Sequence, residues 1–276
     1  MSDWLYVTLL GIVQGITEFL PVSSSGHMAL LDALCGFKER DIMPLVVVMH
    51  AGSLVAIVAI YFRELWKFLK PERFRLLGML ILATIPAGVA GVVIHHFKWD
   101  RYFSDMLFVG CGFLITGALL RLTGRPKLVA GSEGADGTEL EKITPRQALI
   151  VGFAQMFAIA PGISRSGSTI SAGVLCGIKR EAAGAFSFLM AIPVIGGAVL
   201  IKLLGALKKN AVPAADSMGI GPILLGFAVS MVVSFAVLLL LLKIIRRGKL
   251  HYFSWYMLAL GAAVTIWQMV GMVKHQ

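Results

Sequence analysis

The chain has 276 residues, 58% hydrophobic and 14% charged, with mean hydropathy +0.84 and a formal net charge of +10. A soluble domain usually carries about a quarter charged residues, so this composition excludes an ordinary water-soluble core and makes lipid the solvent for much of the surface. In that setting the basic balance reads as loop topology and contact with anionic membrane lipids, not as a nucleic-acid footprint.

The start, Met1-Ser2-Asp3-Trp4, lacks the basic opening of a cleavable signal peptide, so the first apolar stretch is expected to be retained. Region 4–36 holds two short helical patterns broken at Leu20-Pro21-Val22-Ser23-Ser24-Ser25-Gly26. Each arm is about 15 residues, or about 22 Å as a helix, too short for a hydrocarbon core of about 30 Å. A re-entrant hairpin fits, because broken backbone at membrane depth is tolerated where protein or a wet cavity covers it. Apolar spans follow at 43–62, 76–96 and 105–121, then a polar linker, 123–145, around Gly131-Ser-Glu-Gly-Ala-Asp-Gly-Thr. Region 147–178 repeats the broken pattern at Pro161-Gly162-Ile163-Ser164-Arg165-Ser166-Gly167, and spans 184–206, 219–242 and 252–272 complete the chain. The expected fold is an all-α integral membrane protein of six transmembrane helices and two re-entrant hairpins. Cys35, Cys111 and Cys176 lie in apolar segments without metal-ligand spacing and read as reduced packing residues.

The two hairpin regions are related. Sliding residues 11–36 forward by 141 gives eight identities in 26 positions, among them Gln14/Gln155, Ser23/Ser164, Ser25/Ser166 and Gly26/Gly167. Three spans per repeat force the second copy upside down, dividing the chain into a first repeat 1–122, a linker 123–145 and a second repeat 146–276. Loops 63–75, 121–146, 177–182 and 243–250 hold sixteen Lys and Arg against eight on the opposite side. That bias puts these loops in the cytoplasm and both termini outside.

Polar residues at membrane depth are costly and ask for a function. Gln14 and Glu18, four apart, share one face of the first arm, and Ser24 and His27, three apart, share one face of the second. Both Ser-x-Ser-Gly segments would open a helix, presenting free backbone N–H groups and a positive dipole end to an anion. Serines there also cap helices, but capping leaves Arg165 unexplained, and its planar fork matches phosphate oxygens. If the hairpin tips meet, Ser23, Ser24, Ser25, Gly26, Ser164, Ser166, Gly167, Thr169 and Arg165 surround one phosphate-type ligand, with Glu18 placed to hold a divalent cation. A purely structural Glu18–Arg165 pair is the competing reading. His50, His95, His96, His251 and His275 lack such company and read as interfacial.

At these hairpins the sequence resembles the undecaprenyl-diphosphatase, or bacitracin-resistance, family. The family's Glu/Gln-xxx-Glu motif and Phe-Leu-Pro-x-Ser-Ser-x-Gly-His stand here as Gln14 through His27. Its Pro-Gly-x-Ser-Arg-Ser-x-x-Thr signature is Pro161 through Thr169, and Phe186 to Pro193 resembles its next span. The resemblance implies hydrolysis of undecaprenyl diphosphate to the monophosphate carrier of bacterial cell-wall synthesis, in the bacterial cytoplasmic membrane with the active site facing outward. It implies a divalent cation, Mg²⁺ or Ca²⁺. Carried onto this chain it makes Glu18 a metal or catalytic carboxylate, Ser24 a nucleophile, His27 a base or nucleophile and Arg165 the phosphate clamp. Gln14, where many members have Glu, brings less charge to a metal. The expected partners are the polyprenyl diphosphate and membrane lipids, and a homodimer is left open.

Type-2 phosphatidic acid phosphatases fail on their own motif, since Arg125-Pro126 has Ala118 seven before it and no histidine follows Arg165 until His251. A lipid-phosphate carrier is the other class, because inverted repeats with broken helices also describe transporters. Ser24 and His27 beside a carboxylate favour chemistry, with His27 expected within hydrogen-bond reach of Ser24.

Overall fold

The computed structural model describes residues 2–35, 43–97, 105–132, 137–208 and 218–274. Lys38, Arg40, Lys98, Arg101, Lys209, His275 and the two terminal residues lie outside them, as do the side chains of Cys35, His95 and Lys274. The described residues form helices and no named strand, with one isolated bridge between Thr138 and Ile178.

Among the described residues, ten helices carry the fold: α1 (Asp3–Phe19), α2 (Ser24–Cys35), α3 (Met43–Lys67), α4 (Phe74–His96), α5 (Met106–Leu122), α6 (Pro145–Phe157), α7 (Arg165–Leu175), α8 (Arg180–Lys208), α9 (Ile220–Arg246) and α10 (Phe253–Lys274). Short helical turns occupy the connections between α3 and α4, α5 and α6, and α9 and α10. Among the described residues, five helices are long and apolar enough to cross a membrane. The sixth expected span is α5, which at 17 residues falls short of that length. It reaches about 26 Å at the helical rise, at the short end of what crosses a hydrocarbon core.

Local sequence sets the breaks. α1 stops at Leu20, whose ψ of 146° is the extended conformation imposed on a residue before proline. Thr144 and Gln147 form a capping box at the start of α6, with Pro145 in the first turn. Ser164 caps α7 by accepting from Gly167 N. The four hairpin arms α1, α2, α6 and α7 have 17, 12, 13 and 11 residues.

Packing follows a pattern of exchange. α1 lies on α9, and α6 lies on α4; α3 meets α9, and α4 meets α8; α3 and α8 touch, as do α5 and α10. The last pair approaches closely because a Cβ on Gly110 would stand 2.5 Å from Thr265 Oγ1 and one on Gly261 2.9 Å from Leu114 N. Between α3 and α9, Ser53 Oγ lies 2.8 Å from Ser234 Oγ and 3.2 Å from Ser230 Oγ. With little hydrophobic drive between helices in lipid, such small-residue contacts and hydroxyl bonds hold the bundle.

The arginine-rich loops gather at one end. Arg73 pairs with Glu141, Arg75 donates to the carbonyls of Glu141 and Ile143, and Lys179 pairs with Glu139 at 3.1 Å. The Lys179 and Lys142 ammoniums hold the exposed Glu139 carboxyl below its ordinary range. Arg246 lies 3.7 Å from Glu181, closing the same cluster.

Candidate active site

The two hairpin tips meet. Ser166 Oγ donates to Leu20 O at 3.1 Å, and a Cβ on Gly26 would lie 2.9 Å from Gly162 Cα and 2.5 Å from the Phe113 ring. Only glycine permits that approach. On α5, Thr116 ties the second tip down by donating to Gly162 O at 3.0 Å and accepting from Ser164 N at 2.9 Å. The first tip turns through Ser23, whose φ of +68° is the one positive value at a non-glycine among the described residues. A serine held in that sparsely populated region is strained, and such strain collects at functional sites.

Glu18 is the hub. Its Oε2 accepts from Ser24 Oγ at 2.7 Å and from Gln14 Nε2 at 2.9 Å, and its Oε1 accepts from Arg165 Nη2 at 3.0 Å. The Glu18 side chain is 6% exposed and that of Arg165 14%. A buried ion pair leaves little of either charge to water, so what else they bind matters. Arg165 Nη1 and Gln14 Oε1 are both buried and have no hydrogen-bond partner among the described residues. An unpaired donor on the arginine fork and an unpaired acceptor on the amide are groups that await a ligand.

A cavity of about 330 Å³ opens beside this cluster. Thr17, Glu18, Ser23, Ser24 and Ser25 line it from the first hairpin, Ser164 and Arg165 from the second, His50 from α3 and Lys202 from α8. The rest of its wall is apolar, from Val46 and Val47 on α3, Ala158, Ile159 and Ile163 in the turn between α6 and α7, and Val194, Ile195, Ala198 and Val199 on α8. A polar end with apolar walls suits a lipid bearing a charged head.

Several expected residues sit elsewhere. His27 does not reach Ser24. Its Nδ1 is 2.9 Å from Ser23 O and its Nε2 2.6 Å from Tyr256 Oη, with the rings stacked at 5.8 Å. Three residues along a helix turn about 300°, a misalignment of about 60° that swings His27 toward Phe113 and Tyr256. Gly26, Ser166, Gly167 and Thr169 do not line the cavity either. Gly26 and Ser166 join the tips, and Gly167 N bonds Ser164 Oγ at 3.1 Å. Thr169 Oγ1 donates to Arg165 O at 2.8 Å and lies 2.6 Å from Ser187 Oγ. Gln14 is also off the cavity, spending its N–H on Glu18.

His50 is the residue that sequence reasoning missed. Read as interfacial, it stands with Nε2 3.4 Å from Glu18 Oε2. Its one signal was a polar side chain in the middle of an apolar span. Lys202 was counted only as a loop-side charge, and Thr17 was not singled out.

The donor set fits a divalent cation in part. No group of three or more His, Cys, Asp or Glu gathers among the described residues, so a closed protein cage is absent there. Mg²⁺ is commonly held by one or two carboxylates together with substrate phosphates, and Glu18 on the cavity wall supplies one such carboxylate.

The family model described as bacitracin resistance protein BacA matches residues 7–263. A protein of Carboxydothermus hydrogenoformans named undecaprenyl-diphosphatase is 38% identical over 264 residues, covering 95% of this chain and 97% of its own. One of Trichlorobacter lovleyi with the same name is 37% identical over 284 residues, covering 99% and 100%. One of Desulfatibacillum aliphaticivorans, also so named, is 36% identical over 285 residues, covering 95% and 98%. A match over nearly the whole chain, including both hairpin signatures, places this protein in the bacitracin resistance protein BacA family.

Proposed function

We propose that this chain is a membrane phosphatase that hydrolyses undecaprenyl diphosphate to undecaprenyl phosphate and phosphate. That reaction recycles the lipid carrier of cell-wall synthesis and confers bacitracin resistance. The observation that carries the reading is Glu18 holding the Ser24 hydroxyl at 2.7 Å and the Arg165 fork at 3.0 Å beside one cavity.

Arg165, which lines the cavity, grips the terminal phosphate with its guanidinium fork. Ser24 Oγ attacks the terminal phosphorus while its proton passes to Glu18, the group it already bonds. The anhydride P–O bond breaks, undecaprenyl phosphate leaves, and the phosphoryl group stays on Ser24. Glu18 passes that proton to the departing undecaprenyl phosphate and is a carboxylate again. Water then attacks the phosphoserine, its proton passes through Glu18 to the leaving Ser24 Oγ, and phosphate departs as the Ser24 hydroxyl is restored. First-turn amides of α2 and α7 stabilise the phosphoryl oxygens. Glu18, with the substrate's own oxygens, would hold a divalent cation whose chemistry is to neutralise charge as the anhydride breaks. His27, bonded through both ring nitrogens, orients the second arm of the hairpin.

The wider architecture belongs to the same proposal. Hairpins α1–α2 and α6–α7 are re-entrant, supported by arms of 11 to 17 residues that are short for a bilayer. Repeats 1–122 and 146–276, with linker 123–145, are inverted copies, supported by the exchange in which α1 packs on α9 and α6 on α4. α5 then crosses as a sixth, short span. The ion-paired loops face the cytoplasm of the inner membrane, and the cavity, lined by α8 out to Lys202, opens to the outer side.

A lipid-phosphate carrier is not favoured, because the similar proteins are named as diphosphatases. The test is phosphate release from undecaprenyl diphosphate by purified protein in detergent, where no membrane remains to cross. Release that depends on Glu18 supports the enzyme; none at all refutes it.

A further inference from the structure

We infer that His50 is a nitrogen ligand of the divalent cation at Glu18, an inference that rests on the metal-assisted reading above. His50 Nδ1 lies 2.7 Å from Val46 O, one turn back on α3. A carbonyl only accepts, so Nδ1 carries the hydrogen. In the Nδ1–H tautomer the ring presents a lone pair at Nε2, and that atom lies 3.4 Å from Glu18 Oε2. Two lone pairs aimed at each other repel unless a positive species lies between them. A proton shared by the pair would draw them to about 2.7–2.9 Å. Two adjacent donors about 2.1 Å from one metal lie about 3 Å apart, so a small approach from 3.4 Å would seat one ion between them. An N–H held by a backbone carbonyl, leaving Nε2 free, is also how protein metal sites orient a histidine. The hydroxyls of Thr17 and Ser24 line the same cavity beside Glu18 and His50.

The chemical consequence is selectivity. Mg²⁺ and Ca²⁺ prefer oxygen, whereas an imidazole among oxygens raises affinity for Mn²⁺ and the later divalent metals. The site of this chain is thus expected to take Mn²⁺ more tightly than Mg²⁺.

The test loads the full-length protein, in detergent micelles, with Mn²⁺ and reads pulsed electron paramagnetic resonance. Nitrogen modulation is expected on the bound ion, and ¹⁵N-labelled histidine should change its pattern. His50→Gln should abolish it and weaken Mn²⁺ binding about tenfold or more, while the thermal unfolding midpoint stays near wild type. His27→Ala should leave the modulation intact. Mn²⁺ that binds only when Glu18 is present, yet shows no histidine nitrogen, would overturn the His50 assignment and leave the metal-assisted reading standing. That outcome makes His50 an imidazolium paired with Glu18. No Mn²⁺ bound with or without inorganic phosphate would overturn both.

Discussion

Arg165→Lys keeps the charge and removes the fork, which makes it the sharpest probe of the site. In the wild type one guanidinium nitrogen holds Glu18 at 3.0 Å while the other is buried without a partner. A lysine ammonium at the same place is a point charge. It can sit on the carboxylate or on the phosphate, but it cannot bridge the two. The loss of one oriented donor to the transition state is about 3 kcal/mol, or about a hundredfold in turnover. Stability should hardly change, because Glu18 keeps a cationic neighbour. Arg165→Ala is different, since it strands a carboxylate only 6% exposed, at a cost of about 3–5 kcal/mol of folding stability. Phosphate release at saturating lipid, with thermal unfolding of the same samples, separates the two effects. A lysine variant within threefold of wild type would refute the clamp and reduce Arg165 to charge balance for Glu18.

Excess chelator should suppress phosphate release, and unchanged activity would remove the metal role from Glu18. His27→Ala should lower turnover far less than Ser24→Ala, because Tyr256 and Ser23 occupy both ring nitrogens; equal losses in steady-state rate would restore His27 as the base. Gly26→Ala should destabilise the protein by about 1–3 kcal/mol, since its Cβ would stand 2.5 Å from the Phe113 ring and 2.9 Å from Gly162 Cα, and an unshifted unfolding midpoint would contradict the packed tips. Reporter fusions at Met1 and Gln276 should agree on the non-cytoplasmic side; disagreement would break the three-spans-per-repeat arrangement.

The sequence carried the hairpins because proline, glycine and serine leave their marks on backbone directly. Pro21 ends α1, and Ser164 starts α7, at the positions where the apolar pattern breaks. The Glu18–Arg165 pair was legible for an energetic reason, since two opposite charges at membrane depth have few places to go but each other. His50 was not legible, because only the packing of α1 against α3 brings it to Glu18. His27 was misplaced through the opposite error, in which a motif neighbour was given a contact that the helical rotation denies. Thr169 is kept from the cavity differently, its hydroxyl taken up by Arg165 O and Ser187 on α8. The span expected at 105–121 and the observed α5 differ by one residue at each end, because Asp105 caps the helix start and Arg121 falls in its last turn.

The most direct measurement of the central claim follows the phosphoryl group itself. Undecaprenyl diphosphate labelled in the terminal phosphate is mixed with purified protein and quenched in acid within a turnover. The account predicts acid-stable label on the peptide that contains Ser24, absent from Ser24→Ala and reduced in Glu18→Gln. Label that is lost in acid, retained in alkali and absent from His27→Ala would mean a phosphohistidine, and would contradict Ser24 as the attacking group.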